Sequence, residues 1–281
     1  MQIPRKKHQK GNAMEIQWLG TAGFKLTTAD TTLLLDPYLS RNPYARPQQR
    51  LTPTDLGPAH TILVSHGHFD HLMDVPAVSR ATGADVACSP TAARTLCDMG
   101  LFREHITTVD RDGFTLNLNG IRAKAFYSRH VRFDLRLMLS TLARVGRRFR
   151  EIFPLFFNFP CGRVLSWRIQ AEGMTLHFFG SGGSSQAELT TLARTQTDVL
   201  LVPLQGHSRI CDLALNYVKH LRPGLVIPHH HDDFYPPVSQ NIDIKVFLNG
   251  VREADPGIQV RELHLNERLC LDKTGSLLKI C

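Results

Sequence analysis

His66-Gly67-His68-Phe69-Asp70-His71 places three imidazoles and one carboxylate within a single short run. The run follows Thr61-Ile62-Leu63-Val64, whose apolar and partly β-branched character is typical of a buried strand. Neutral imidazole is the commonest metal ligand in proteins, and an aspartate adds an anionic oxygen. A histidine-rich surface loop without metal is the alternative. The position after a core strand and the further histidines downstream favour a metal site.

Further motifs lie on both sides of this run. They are residues 16–24 (IQWLGTAGF), 33–38 (LLLDPY), 128–130 (SRH) and 228–234 (PHHHDDF). Taken in order, the series resembles the signature of the metallo-β-lactamase fold superfamily of metal-dependent hydrolases, and it covers most of the chain. Within that superfamily, the chain looks closest to the branch that contains the ascorbate-6-phosphate lactonase and the N-acylphosphatidylethanolamine phospholipase D.

The resemblance implies an α/β fold, the four-layer αββα sandwich, with metal ligands on loops at one edge. The hydrophobic pattern of the chain predicts a compatible order of elements. Predicted strands are 15–19, 24–28, 32–36, 61–64, 106–109, 114–118, 121–127, 164–170, 174–179, 198–203 and 224–228, and predicted helices are 91–99, 184–195 and 212–221. Residues 1–13 are expected to be a basic flexible tail. Residues 14–281 are expected to be one hydrolase domain with a helical insertion at about 131–160.

The resemblance also assigns metal ligands. It implies two sites, a first of His66, His68 and His130 and a second of Asp70, His71 and His230. In the triplet 229–231, the family's spacing before Phe234 selects His230, with His229 as the fallback. His229 and His231 are otherwise expected to lie beside the ligands or in solvent. Asp36 is expected to accept a hydrogen bond from a ligand histidine and fix its tautomer, or else to be a plain turn residue before Pro37.

Ser181 is a departure from the superfamily pattern. Many members carry an aspartate at this point that bridges two metals, whereas this chain has a neutral hydroxyl. The first site is therefore expected to bind tightly, and the second weakly or not at all. Asp70 would then be a free carboxylate that orients water or accepts its proton. His207 is a second catalytic candidate, as a donor to an oxyanion or as a general acid, and a surface histidine is the alternative.

The segment 135–159 follows the third motif directly. Its apolar residues recur every three or four positions and predict an amphipathic helix that ends at Pro154, followed by an apolar loop. Four interpretations remain open: a lid over the metal site, a basic helix resting on an anionic membrane, a contact in a homo-oligomer, and a helix packed on its own domain. A lid that also packs on the domain is the preferred one.

The composition limits partners and location. The formal net charge of +8 is concentrated in the N-terminal tail and in the arginine-rich stretch 129–168. Nucleic acid is disfavoured as a partner because aromatic content is 8% and no nucleic-acid-binding module is recognisable. No apolar run is long enough to span a membrane, and the basic N-terminus is not a secretory signal. The six cysteines form no Cys-x-x-Cys pair and are expected to be reduced, which predicts a cytoplasmic protein.

These observations together predict a metal-dependent hydrolase. It is expected to use a metal-activated water on an anionic ester, lactone or phosphodiester, either small or lipid-like. Zn²⁺ is the expected ion, one or two per chain, with Mn²⁺ or Fe²⁺ as alternatives because of the aspartate in the second site. Two other functions remain open: a non-catalytic metal-dependent binding or sensor protein, and a nuclease of the same superfamily.

Overall fold

The computed structural model describes residues 14–146, 149–272 and 277–280. The predicted N-terminal tail, residues 1–13, lies outside the described residues. The described chain forms two β-sheets with α-helices on their outer faces.

The strands are β1 (Met14–Gly20), β2 (Gly23–Thr27), β3 (Thr32–Leu35), β4 (Thr61–Leu63), β5 (Asp85–Cys88), β6 (Ile106–Thr108), β7 (Thr115–Leu118), β8 (Ile121–Ser128), β9 (Val164–Ala171), β10 (Met174–Phe179), β11 (Val199–Pro203), β12 (Leu225–His229), β13 (Gln259–Val260), β14 (Arg268–Leu271) and β15 (Leu277–Ile280). The helices are α1 (Phe69–Leu72), α2 (Val75–Thr82), α3 (Pro90–Asp98), α4 (Leu135–Val145), α5 (Phe149–Asn158), α6 (Gln186–Leu192), α7 (Ile210–Leu221) and α8 (Lys245–Ala254).

The two sheets share one plan. The strand order is β15-β14-β1-β2-β3-β4-β5-β6 in the first sheet and β13-β12-β11-β10-β9-β8-β7 in the second. Each combines an antiparallel part with a parallel part, which runs from β3 to β6 in the first sheet and from β10 to β13 in the second. Parallel neighbours need a crossover connection, usually a helix. Helices α2, α3, α6, α7 and α8 lie in these connections.

Successive residues of the central strands are buried on opposite faces. Phe178 packs between the sheets, with its ring centroid 6.3 Å from that of Phe24. The next residue, Phe179, packs on the outer face against Tyr217 of α7, at 4.5 Å. The first sheet buries its outer face against α2 and α3 in the same way. Because both faces of each sheet are covered, the predicted αββα sandwich is confirmed.

One edge of the sandwich collects the chemically active side chains. Strands β3 and β4 run parallel, and β8, β10 and β12 share one direction in the other sheet, so that their carboxyl ends lie at one edge of each sheet. The segments that follow these ends carry Asp36, His66, His130, Ser181 and His230.

The segment after β8 differs from its prediction. Instead of one helix that stops at Pro154, it forms two helices, α4 and α5, and Pro154 lies inside the second. Helix α4 ends because Gly146 takes a positive φ of 45°, which glycine adopts readily. Proline has no N–H, so Pro154 cannot donate the helical hydrogen bond to the carbonyl of Arg150. Arg150 is an exposed residue of the first turn of α5, so water can bond that carbonyl instead, and Pro154 is tolerated.

Two further expectations concern cysteines and membranes. Cys88, Cys97, Cys161 and Cys211 are free thiols. Cys270 is disulfide-bonded, so the prediction that all cysteines are reduced is wrong at this residue; sequence spacing alone does not reveal such pairings. Among the helices of the described segments, none has both the length and the apolar character needed to cross a bilayer.

Glu188 joins helix α6 to the second sheet close to the third motif. Its carboxylate accepts hydrogen bonds from Ser128 Oγ of β8 at 2.9 Å and from Ser166 Oγ of β9 at 2.6 Å. Burial outweighs these bonds and raises the pKa of Glu188 to about 7. The folded protein therefore holds a proton on this carboxyl that the unfolded chain releases near pH 4.5.

We expect this residue to make the stability depend on pH. Because the folded-state pKa is the higher one, its contribution is fully present below pH 4.5 and is lost as the pH rises through about 7. The loss is on the order of 3 kcal/mol. Glu188→Gln cannot ionise, so the variant should gain stability relative to wild type between pH 5 and pH 8 in urea unfolding. Parallel stability curves for the two proteins would contradict this expectation.

Candidate metal centre

Residues 66–71 form the connection from strand β4 into helix α1. His68 is the residue immediately before the helix and has an extended backbone, with φ −64° and ψ 153°. The short helical turn brings Asp70 and His71 back beside His66, whose ring centroid lies 4.0 Å from that of His71. A strand end that passes directly into a helical turn therefore concentrates all four side chains at one point.

The first group of donors consists of His66, His68 and His130. Nε2 of His66 lies 3.2 Å from Nδ1 of His68. The ring centroid of His130 lies 5.1 Å from that of His66 and 4.6 Å from that of His68. His130 Nδ1 is 2.7 Å from the carbonyl oxygen of Val131, which fixes the proton on Nδ1 and leaves Nε2 free as a ligand atom.

The second group consists of Asp70, His71 and His230. Asp70 Oδ2 lies 3.4 Å from His71 Nε2 and 3.2 Å from His230 Nε2. His230 has a positive φ of 57°, a conformation that is uncommon for a residue other than glycine, and its N–H donates to the carbonyl of Thr21 at 2.8 Å. Such strain is often found at functional sites, and here it directs the imidazole toward Asp70.

Asp36 connects the two groups. Its Oδ2 lies 2.7 Å from His71 Nδ1, and its Oδ1 accepts the backbone N–H of Ser65 at 2.7 Å. The hydroxyl of Ser65 also donates to Asp36 and lies 2.9 Å from Nδ1 of His66. Asp36 is fully buried. It therefore orients His71 directly and His66 through Ser65, through Nδ1 of each ring.

The protonation state of the three histidines in the first group suits the binding of a metal cation. Burial lowers the pKa of His66 well below its ordinary value, lowers that of His68 to about 4, and lowers that of His130. All three imidazoles are therefore neutral at pH 7 and present lone pairs to a common space. Neutral nitrogen donors at this spacing fit a divalent metal ion such as zinc.

The second group carries charge. Burial alone would lower the pKa of His71, but the carboxylates of Asp70 and Asp36 outweigh it and raise that pKa to about 10. Burial likewise opposes ionisation of Asp70, whereas His71 and His230 hold the pKa of Asp70 well below its usual range. Asp70 is therefore ionised, and in this state the protonated His71 supplies the positive charge beside it.

The other histidines of the triplet point elsewhere. His229 is fully buried between aromatic rings, 5.2 Å from Phe24 and 5.6 Å from Phe178 between centroids. His231 stacks on Trp18 at 5.1 Å. Of the triplet, His230 alone joins the described donor groups, at the position that the sequence selects.

His207 and Ser181 differ in their relation to the cavity over the metal ligands. Nδ1 of His207 accepts the backbone N–H of Arg209 at 2.9 Å and lies 3.9 Å from Asp134, and the side chain is not among the described residues that line the cavity over the metal ligands. The catalytic role of His207 stays a prediction. Ser181 does line that cavity, but its Oγ accepts the backbone N–H of Val131 at 3.0 Å.

A cavity of about 540 Å³ opens over both donor groups. Its floor includes His66, His130 and His230, and its walls come mainly from helices α4 and α5. The apolar wall residues include Phe133, Met138, Leu142, Ile152, Phe153 and Phe156. The segment predicted to be a lid therefore forms the side of a pocket that reaches the candidate metal ligands.

Cys161 is the residue of this site that sequence reasoning did not select. Its sulfur and one ligand atom from each histidine of the first group all lie within 4.8 Å of one another. Cys161 is distant in sequence from every motif, and no spacing pattern marks it. The only available signal is its position directly after the predicted insertion.

Removing the oxygen acceptor of Asp36 tests its role in orienting the ligands. In Asp36→Asn the side chain keeps its size but loses its charge and one of its two acceptor oxygens, so it cannot accept from both His71 and the N–H of Ser65. We expect metal affinity to fall about 10- to 100-fold, as for other hydrogen-bond partners of metal ligands. Chelator competition measures this change. Asp74→Asn is the matched control, because Asp74 is a buried acceptor for Leu39 and Ser40 and is not in either donor group. Equal affinities in both variants would contradict the assignment.

Comparison of the sequence with known proteins assigns the chain to a family. Residues 15–230 match the Beta-lactamase superfamily domain. A metal-dependent hydrolase of Thermoplasma acidophilum is 30% identical over 223 residues, which cover 79% of this chain and 84% of the relative.

Solved structures share the fold. A metallo hydrolase of Ignicoccus hospitalis has a TM-score of 0.67 at 19% identity, covering 92% of this chain and 99% of its own. A diiron β-hydroxylase of Streptomyces venezuelae has a TM-score of 0.61 at 18% identity, covering 92% of this chain and 54% of its own. The fold by itself thus accommodates different reactions. The family match is nevertheless clear: the chain belongs to the Beta-lactamase superfamily domain family and is a metal-dependent hydrolase with the metallo-β-lactamase fold.

Proposed function

We propose that the protein hydrolyses an anionic ester, lactone or phosphodiester that carries an apolar chain, using zinc held by His66, His68 and His130. The observation that carries this proposal is the cavity, because it joins the histidine groups at its floor to an apolar wall formed by α4 and α5. A pocket of this kind selects an amphiphilic molecule whose polar end reaches the histidines.

Zinc is the proposed first ion because the donors are neutral imidazoles. Asp70, His71 and His230 are a second and weaker site, where Mn²⁺ or Fe²⁺ would suit the carboxylate. A divalent cation in these positions supplies Lewis-acid chemistry and lowers the pKa of bound water. Water orientation and proton transfer depend on the protein's own side chains.

Asp70 is the proposed proton acceptor. It is ionised, it lines the cavity, and its Oδ2 lies between the Nε2 atoms of His71 and His230. When the second site is vacant, this carboxylate is free to orient a water at the cavity floor and to accept its proton. Asp36 keeps His71 in a fixed orientation throughout.

The charge of the cavity supports an anionic substrate. Of the described residues that line the cavity, Arg144 is the one arginine. Its guanidinium donates a hydrogen bond to the side chain of Gln240. The remaining wall is largely apolar. An acyl or alkyl chain would therefore pack along α4 and α5, while Arg144 would lie near a negatively charged group.

Helices α4 and α5 also expose large apolar side chains to solvent. Leu135, Leu139 and Phe157 are more than half exposed. These apolar residues beside arginines support the role of a lid, and they also suit a contact with an anionic membrane surface or with a second copy of the chain. A cytoplasmic location and the narrower relationship to the lactonase and phospholipase D branch stay predictions.

A metal-dependent binding protein without activity is the second candidate. The observation that favours it is Ser181, which supplies no carboxylate to the site and is engaged by Val131. Persistent metal binding without turnover of any ester, lactone or phosphodiester would select this candidate.

The length of the apolar chain on the substrate tests the proposal. Phe156 lines the cavity, whereas Phe157, its neighbour on α5, is not one of the described residues that line it. Along a series of nitrophenyl esters and phosphodiesters of increasing alkyl length, wild-type kcat/KM should rise. Phe156→Ala should lower kcat/KM for the longest members by roughly 10-fold or more and barely affect the shortest.

Phe157→Ala is the matched control and should follow wild type across the series. A wild-type kcat/KM that falls with chain length, or equal effects of the two substitutions, would contradict the proposed substrate class.

A further inference from the structure

The first donor group contains sulfur as well as nitrogen. Cys161 Sγ lies within 4.8 Å of one ligand atom from each of His66, His68 and His130, and these four atoms form a single cluster. Three imidazole nitrogens and one thiolate are four donors of the types that zinc binds, and the number matches its tetrahedral coordination. Cys161 is only partly buried.

Two glycines allow Cys161 to lie this close to the motif. The N–H of Gly67 donates to the carbonyl of Cys161 at 2.9 Å, and a Cβ on Gly67 would overlap with the carbonyl oxygen of Pro160. On the other side, Gly162 has a positive φ of 63°, and a Cβ there would lie 2.5 Å from Cβ of Thr91. The chain returning from α5 is therefore packed directly onto the histidine motif.

The first donor group lacks a negative charge, which the thiol of Cys161 could supply as a thiolate. The first group contains no carboxylate among its described members, and Ser181 adds only a hydroxyl that already accepts from Val131. An ion held by three neutral imidazoles would keep its full positive charge. A thiolate at Cys161 would supply one negative charge at the ion, where this chain lacks the carboxylate usual in the superfamily.

We propose that Cys161 Sγ is the fourth protein ligand of the metal ion bound by His66, His68 and His130. The inference rests on the proposed function, since it presumes that these histidines hold a metal. Sulfur makes the site selective for zinc and similar ions over magnesium or manganese. Four protein donors fill the tetrahedral positions of zinc, so hydrolysis at this ion requires its coordination to expand to five when water or substrate binds, as catalytic zinc sometimes does in the transition state.

X-ray absorption at the zinc edge tests this inference on the full-length protein loaded with zinc. Wild type should show a sulfur neighbour at about 2.3 Å in addition to nitrogen at about 2.0–2.1 Å. Cys161→Ala should lose the sulfur neighbour and bind zinc at least about 10-fold more weakly. Cys97→Ala is the matched control, because Cys97 is a free thiol on α3 and should leave both readouts unchanged.

The outcomes separate this inference from the proposed function. Zinc bound through nitrogen and oxygen alone, or a sulfur neighbour that persists in Cys161→Ala, would overturn the inference and leave the histidine site intact. Absence of bound zinc in wild type would overturn both. If Cys161→Ala fails to fold, Cys161→Ser keeps the size of the side chain and must still lose the sulfur neighbour. Cobalt-substituted protein gives a second readout, since thiolate ligation adds a strong near-ultraviolet absorption.

Discussion

His68→Ala is expected to abolish hydrolysis of every substrate that the wild type turns over. His68 supplies one of the three neutral nitrogens of the first donor group, with Nδ1 facing Nε2 of His66 at 3.2 Å. Two histidines hold a divalent ion less firmly than three. The loss in kcat/KM should therefore exceed the roughly 10- to 100-fold that follows loss of a hydrogen-bond partner of a ligand.

The fold should survive this substitution. His68 is half-buried at the start of α1 and belongs to none of the apolar clusters of the core. His105→Ala is the matched control, since His105 is exposed and pairs with Asp85 on the surface at 2.9 Å. Steady-state kinetics and thermal unfolding on both variants decide the matter. Full activity of His68→Ala would contradict the assignment of the first site.

Ser181→Asp is expected to strengthen the second metal site. Ser181 follows strand β10, lines the cavity and lies at the position where many superfamily members carry a bridging carboxylate. An aspartate there would add an anionic oxygen near Asp70, His71 and His230. We expect affinity for the second ion to rise at least about 10-fold, equivalent to about 1.4 kcal/mol of binding free energy. Isothermal titration with zinc or manganese measures the change.

Ser181→Asn distinguishes charge from size. Asparagine has nearly the shape of aspartate but no negative charge, so it should leave the second site as weak as in wild type. Both variants retain an oxygen that can accept from the N–H of Val131, as Ser181 does at 3.0 Å. An equal gain for both variants would show that charge is not what the site lacks. No gain for Ser181→Asp would mean that the second site does not depend on this position.

Much of the architecture was predictable from local pattern. Short apolar runs such as 199–203 and 225–229 fix strands because both faces of each sheet are buried. Helix α3 was predictable from Ser89, whose side chain accepts from the N–H of Ala92, and from Pro90 in the first turn. These signals are local, so they can be read without knowledge of the tertiary structure.

Other elements were missed because their signals are weak or depend on tertiary contacts. Strand β5 has only four residues and begins with an exposed aspartate. Helix α2 has only eight residues, and its buried face includes the polar Ser79 and Thr82. Helix α8 is amphipathic but contains Gly250, which packs closely against Leu215 of α7. The continuation of α5 through Pro154 was missed because proline usually ends a helix.

In the metal centre, too, some residues were predictable from local pattern and others depend on tertiary contacts. Asp36, His66 and His130 follow predicted strands, so the common edge of the sandwich brings them together. The triplet 229–231 is ambiguous by composition, and the family's spacing rather than a physical pattern selected His230. Its positive φ and its bond to Thr21 are properties of the folded chain. Cys161 reaches the histidines through the return of the chain after α5, which no local pattern encodes.

The metal content of the protein decides whether His66, His68 and His130 bind an ion. Protein purified without added metal, then stripped and reloaded with zinc, should be measured by mass spectrometry for wild type and for His68→Ala. We expect about one tightly held zinc per wild-type chain, as for a site of this donor set, and a large loss in the variant under the same dialysis. Wild type without bound metal, or equal metal in both proteins, would mean that these histidines do not form a metal site.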